Sequence, residues 1–203
     1  MKRKRIVLVL LIVLIVFLGF WFGKGIFKKD LKPQDEIKVI KEIKDYNYQL
    51  TDNKTPLFAD LFKELISVLK KEEKDNEEYA VLVSKLFVAD FFDLKSKFSK
   101  DDIGGGQFVH SSLKDNFLLQ AGETFYKYVQ NNFYGDRKQE LPEVKKIEVS
   151  KVEVIEYTYN DYLEENAYQV NLNWEYTKEL GYQTTARVIL VPEGKKISIA
   201  EFE

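Results

Sequence analysis

Cysteine is absent from the 203 residues, which excludes disulfides, thiolate metal sites, cysteine nucleophiles and a lipobox-type lipid anchor. Histidine occurs once, at His110, so every site that needs two imidazoles is excluded too. Four prolines and ten glycines rule out collagen-like and low-complexity sequence. Charge of one sign is not in excess overall, with 31 basic and 33 acidic residues, but it is unevenly placed. Residues 1–29 carry seven basic groups and no acid; the other 174 hold 24 basic and 33 acidic groups, net −9. An acidic body is a poor polyphosphate binder, so no nucleic-acid partner is expected.

Residues 6–23, IVLVLLIVLIVFLGFWFG, form 18 positions without a charge. As a helix they span ~27 Å, near the ~30 Å hydrocarbon thickness, and Lys24 to Phe27 extend the segment by snorkelling. Trp21 and Phe22 suit an interfacial aromatic belt. A cleaved signal peptide would have a shorter core and an Ala-x-Ala site, and neither is present. The expectation is a basic cytoplasmic tip at 1–5 and a single-pass anchor in membrane lipid at 6–27. A linker and membrane-proximal segment at 28–54 and a globular domain at 55–203 follow. Lys2, Arg3, Lys4 and Arg5 outweigh the more dispersed lysines after the anchor. The expected orientation is therefore N-terminus inside and domain extracytoplasmic.

Residues 37–50 mix periods. Ile37, Ile40 and Ile43 suit a helix, then Tyr46, Tyr48 and Leu50 alternate like a strand, ending in a turn at 51–54. Thr55-Pro56 is a helix start, with threonine as N-cap and proline at the first helical position. Leu57, Phe58, Leu61, Phe62, Leu65, Ile66 and Leu69 follow at helical spacing. The run 70–78 is a solvated helix end and loop. A second helix is expected over 79–98 and a third over 112–133, the latter opened by a capping-box-like Ser112/Asp115 pair. After Gly135 the period falls to two. Residues 144–159 change phase, implying a bulge or two short strands. Tyr168, Val170, Leu172, Trp174 and Tyr176 alternate strictly, residues 182–191 alternate again, Pro192-Glu193-Gly194 reads as a turn, and 196–202 is the last strand. The fold class is α+β: helices in 55–133 covering one face of an antiparallel sheet of about four strands in 144–203, its other face polar.

The candidate ligand site is the 104–112 loop: Gly104, Gly105, Gly106, His110, Ser111 and Ser112. Glycines let a backbone approach a ligand, a helix start offers free N–H groups, and Asp101 or Asp102 could orient the imidazole. The plainer reading is a connector and cap, and GGG after a helix is not a dinucleotide fingerprint. Adjacent acid pairs (Asp101/Asp102, Glu72/Glu73, Glu77/Glu78, Glu164/Glu165) read as solvated faces. No calcium loop and no G-x-S-x-G elbow occurs. Tyr46, Tyr48, Tyr157, Tyr159, Tyr168, Trp174, Tyr176 and Tyr182 form either a stacking surface for sugars or peptide or ordinary cross-strand pairs. No catalytic set, metal or cofactor is expected, and the chain does not read as an enzyme.

The element order resembles the nuclear-transport-factor-two-like α+β cone, with helices 55–69, 79–98 and 112–133 packed on a curved sheet of 144–202. With the anchor at 6–23, it resembles the bitopic scaffold subunits of type IV secretion and conjugation systems. The resemblance rests on element order, carries over no functional residue, and implies an assembly role through protein contacts. The expected function is a non-catalytic, membrane-anchored interaction domain whose partners are other membrane or envelope proteins, with self-association open. The alternatives are a binding module for a small ligand or cell-wall glycan and, below it, an enzyme using the 104–112 loop with His110.

Overall fold

The computed structural model describes residues 38–159 and 162–203. The expected tip and anchor lie outside the described residues, among which no helix is long and apolar enough to cross a membrane. The described chain is α+β: a hairpin, three helices and a four-stranded antiparallel sheet, in that order.

Where a membrane-proximal helix was expected, the chain forms a hairpin of β1 (Val39–Ile43) and β2 (Tyr48–Thr51), paired antiparallel. A 3₁₀ turn at Lys44–Tyr46 joins them, and Asn47 adopts the left-handed conformation at φ 51°. Val39, Ile40 and Ile43 are β-branched, and the Ile40 and Ile43 taken for a helical period lie in this strand, while Ile37 lies outside the described residues. Tyr48 and Leu50 are buried in the main core, so the segment read as a linker helps to build the domain.

Helix α1 (Pro56–Leu69) begins as read. Thr55 is extended, its Oγ1 accepts the Phe58 N–H at 3.2 Å, and Pro56 opens the first turn. Phe58, Leu61, Phe62, Leu65 and Val68 are its buried stripe. Helix α2 (Asn76–Phe91) starts on Asp75, whose Oδ1 accepts the N–H groups of Glu77 and Glu78. It ends seven residues before the expected boundary. Asp93 accepts the Ser96 N–H on Oδ1 and the Val144 N–H on Oδ2, and this local alternative to the helix turns the chain. Leu94 stays in the core, but from a loop. Helix α3 is only Lys114–Glu123. The Ser112/Asp115 capping box does not form: Leu113 is the N-cap, without a side-chain bond. Beyond Thr124, Tyr126 is drawn inward and donates from its hydroxyl to the Phe91 carbonyl at 2.6 Å, a tertiary bond that a continued helix would forgo.

Strands β3 (Val144–Tyr159), β4 (Tyr162–Tyr176), β5 (Thr185–Glu193) and β6 (Lys196–Phe202) pair in chain order. The phase change in β3 is register slippage within one strand, between Val149 and Lys151 and again between Ile155 and Tyr157. Val170, Leu172 and Trp174 of β4 are buried in the main core, with Tyr168 and Tyr176 half-buried beside them. The β5–β6 turn is Gly194-Lys195; Pro192 and Glu193 remain in β5, a shift from the expected 192–194 turn. The sheet face turned away from the helices is not wholly polar. Ala167, Ile189 and Val191 are buried there under Ile155, Tyr157 and Tyr159. Tyr157 also donates to Glu201 Oε2 at 2.8 Å, although β3 and β6 are opposite edges of the sheet. The far half of the β3–β4 hairpin therefore crosses that face.

Candidate functional site

The glycine half of the 104–112 loop lies against α2 at Asp90. The Gly105 N–H donates to Asp90 Oδ2 at 2.9 Å, and the Gly104 N–H donates to the Tyr126 hydroxyl at 3.1 Å. A Cβ on Gly104 would sit 2.2 Å from the Asp90 carbonyl oxygen. A Cβ on Gly105 would sit 2.7 Å from the Phe87 ring, and that residue has φ +79°. Glycine is required at both positions by close approach, and at the second by backbone sign as well.

Asp90 is the hub of a buried ion cluster. Lys54 Nζ and Lys97 Nζ each donate to its Oδ1 at 2.6 Å. The side chains of Asp90, Lys97 and Lys54 are 4 %, 1 % and 12 % exposed. Burial alone would raise the Asp90 carboxyl, but Lys97, Lys54 and the Gly105 N–H outweigh it and hold it well below the usual carboxylate range. Burial likewise disfavours the Lys97 ammonium, yet Asp90 outweighs it and the group is raised. Lys54 shares the same oxygen and moves the other way. Burial lowers it, and repulsion from Lys97 offsets part of what Asp90 supplies. Arg137 fixes the loop that carries Lys97, donating from Nη1 to the Lys97 carbonyl at 2.8 Å and from Nη2 to the Lys95 carbonyl at 2.7 Å.

Lys54 forms the floor of a cleft of about 310 Å³ between β2 and the loop, bordered by Gln49, Asn53, Gly106, Gln107 and Lys114. Gln107 spans the gap: its Oε1 accepts the Gln49 N–H at 2.8 Å and its Nε2 donates to the Gln49 carbonyl at 3.1 Å. A second cleft of about 460 Å³ shares Gly106, Gln107 and Lys114 and runs on to Glu193 and Lys196.

The histidine half of the loop is placed elsewhere. The His110 N–H donates to the Ile199 carbonyl at 2.8 Å, and Val109 makes a parallel bridge to Ile199, so this half runs along the free edge of β6. His110 Nδ1 lies 2.9 Å from Ser112 Oγ and accepts the Ser112 N–H at 3.3 Å. Nε2 faces the Tyr159 hydroxyl at 3.4 Å and Glu193 Oε1 at 3.9 Å. Glu193 Oε1 is also held by the Ser111 N–H at 3.0 Å. Asp102 does not orient the imidazole; its Oδ2 accepts the Phe98 N–H. The six candidate loop residues are thus split: Gly104 and Gly105 lie with Asp90, Gly106 borders both clefts, and His110, Ser111 and Ser112 lie with β5, β6 and the hairpin end.

Among the described residues no three His, Asp or Glu side chains converge as a metal-binding set. Of the strand aromatics, Tyr48 and Trp174 are core residues; Tyr48 bonds to the Tyr79 hydroxyl at 2.8 Å, and burial pushes Tyr79 up to about 12. Tyr157 and Tyr159 stack on each other at 6.4 Å and cover the second core cluster. Sequence reasoning missed Lys54, Asp90, Lys97, Tyr126 and Arg137. Asp90 was legible as an acid inside the apolar stretch LFVADFF, a position that demands a buried partner; nothing in the sequence identified the two lysines that meet it. No family model, curated protein or solved structure matches the chain.

Proposed function

We propose that the chain is a membrane-anchored interaction domain. Residues 6–27 hold it in a bilayer with the N-terminus cytoplasmic, and the α+β body works outside the cytoplasm by binding other membrane or envelope proteins, without catalysis. The nuclear-transport-factor-two-like arrangement and the scaffold role it implies belong to this reading.

The observation that carries it is where the large apolar side chains remain in contact with water. Val154, Tyr162 and Leu163 are exposed on the far part of the β3–β4 hairpin, and Tyr128, Phe133 and Tyr134 on the segment after α3. Large apolar side chains left exposed on two segments are what a protein-contact surface would use. The roles taken by the loop residues point the same way: the glycines are used for close packing and His110 for local bonds.

Photo-crosslinking amino acids placed at Tyr134 and Tyr162 in the whole chain, in its native membrane, test the reading. Discrete adducts with another protein at one of these positions, and none at exposed Lys63 on α1, are expected. Absence of adducts at both positions would contradict it. Orientation is checked separately: Gln34→Cys should react with a membrane-impermeant thiol reagent in intact cells, against a background free of native cysteine. Labelling only after lysis would reverse the assignment.

A further inference from the structure

The ion cluster at Asp90 has more donors than acceptors. Each lysine ammonium carries three N–H donors. Among the described residues, Lys54 and Lys97 make one hydrogen bond each, and both bonds end on the same oxygen, Asp90 Oδ1. Asp90 Oδ2 is already taken by the Gly105 N–H. Buried donors are ordinarily matched by acceptors, because an unmatched one forfeits its hydration. Lys97 is enclosed by protein, whereas Lys54 borders the cleft and can be matched from it.

The groups facing that cleft narrow what could do so. Lys114 borders it as a second cation. Gln107 is spent on the Gln49 backbone, and the Asn53 side-chain carbonyl accepts from Thr51 Oγ1 at 2.6 Å, which leaves the Asn53 amide N–H groups as donors. The acids are Asp90, neutralised by its two lysines, and Asp102, whose Oδ2 is turned to the Phe98 N–H. Apart from Asp102 Oδ1, the unspent side-chain groups are donors and cations, in a space of about 310 Å³ lined also by Gly105 and Gly106.

We propose that this cleft binds a small oxyanion, a phosphate or carboxylate group, with Lys54 Nζ as its buried contact and Lys114 Nζ and the Asn53 amide as its outer contacts. The site would make the domain responsive to a small anionic ligand, which goes beyond the interaction reading and does not depend on it.

The test is thermal unfolding of the whole chain titrated with potassium phosphate, and separately with potassium acetate, each against potassium chloride at matched ionic strength. One of the two anions should raise the unfolding temperature saturably, and the arm that does so identifies the oxyanion. Lys54→Met should abolish the shift; it leaves Asp90 paired one-to-one with Lys97, so the fold is retained. Lys114→Met should weaken the apparent affinity about tenfold, the scale of one charge-assisted hydrogen bond. It carries the test should Lys54→Met not fold. Lys195→Met, a lysine of the second cleft that does not border the first, should change nothing. Phosphate also stabilises proteins generally by surface exclusion. An unsaturable shift, or one equal in the parent, Lys114→Met and Lys195→Met, would mean only that and would overturn the proposal. So would no shift with either anion.

Discussion

The two ends of the 104–112 loop are held by different physics. At Gly104 and Gly105 the backbone is pressed against α2, with two N–H groups spent on buried acceptors and no room for a methyl group on either residue. At His110, Ser111 and Ser112 the contacts are a short edge pairing with β6 and side-chain bonds at the surface. One stretch of sequence, read as one candidate site, is in fact an anchor point of the core followed by a single bridge to the edge of β6. Glycine density indicates only that a backbone comes close to something; here it comes close to a buried carboxylate of its own chain.

The largest effect should come from Asp90→Ala. It leaves Lys54 and Lys97 buried without a counter-charge, and breaking such a cluster costs about 3–5 kcal/mol. Denaturant unfolding of the whole chain should show a loss on that scale, and a change below 1 kcal/mol, within the range of an ordinary surface substitution, would mean that the cluster does not organise this end of the loop. The same carboxylate sets an acid dependence. Its folded-state value lies below the ordinary 3.8, so its contribution is full above that pH and is lost as the pH falls toward the depressed value. Burial raises Asp93, which contributes in the opposite sense as the pH rises from 3.8. The acid limb of stability should therefore be flatter in Asp90→Asn than in the parent chain, as measured by denaturant midpoints between pH 5 and 2.5 (roughly the window of carboxylate titration). An equal or steeper limb would place the dependence elsewhere.

Gly104→Ala comes next. Its methyl group would meet the Asp90 carbonyl at 2.2 Å, where backbone must move, and overpacking of this kind costs about 1–3 kcal/mol. Gly135→Ala sharpens the point. Gly135 has φ +69° but open space around its Cβ position, so only the conformational cost of about 1 kcal/mol applies. A loss at Gly104 no larger than that at Gly135 would show that close approach to Asp90 is not what the loop requires there. The smallest effect belongs to His110→Asn. With local bonds to Ser112 and a long one to Tyr159, the change should cost no more than about 1 kcal/mol. A loss comparable with Asp90→Ala would make the histidine end a structural keystone as well.

What was legible follows the range of the interactions. The Thr55-Pro56 start, the buried stripe of α1 and the alternation of β4 are set by residues within a few positions of one another, and they were readable. The ends of α2 and α3 were not. They are fixed by the Asp93 carboxylate reaching Val144 and by the Tyr126 hydroxyl reaching Phe91, contacts that no periodicity records. The second strand of the hairpin was legible in the Tyr48/Leu50 alternation, but the first was lost to a three-residue spacing that strands and helices share over so short a run. At the candidate site the glycines and His110 were found as residues but assigned to one function, while the meeting of Lys54 and Lys97 on Asp90 emerges only from the packing.

Amide hydrogen exchange at the two ends of the loop, read by NMR on the whole chain labelled with ¹⁵N-glycine and ¹⁵N-serine, tests the central claim most directly. The Gly105 N–H, bonded to buried Asp90, should exchange only when the core opens, as slowly as the core strands, whereas the Ser112 N–H, bonded at the surface to His110 Nδ1, should exchange by local fluctuation. Exchange of Gly105 as fast as Ser112 would contradict the account, because the glycine half would then not be part of the core.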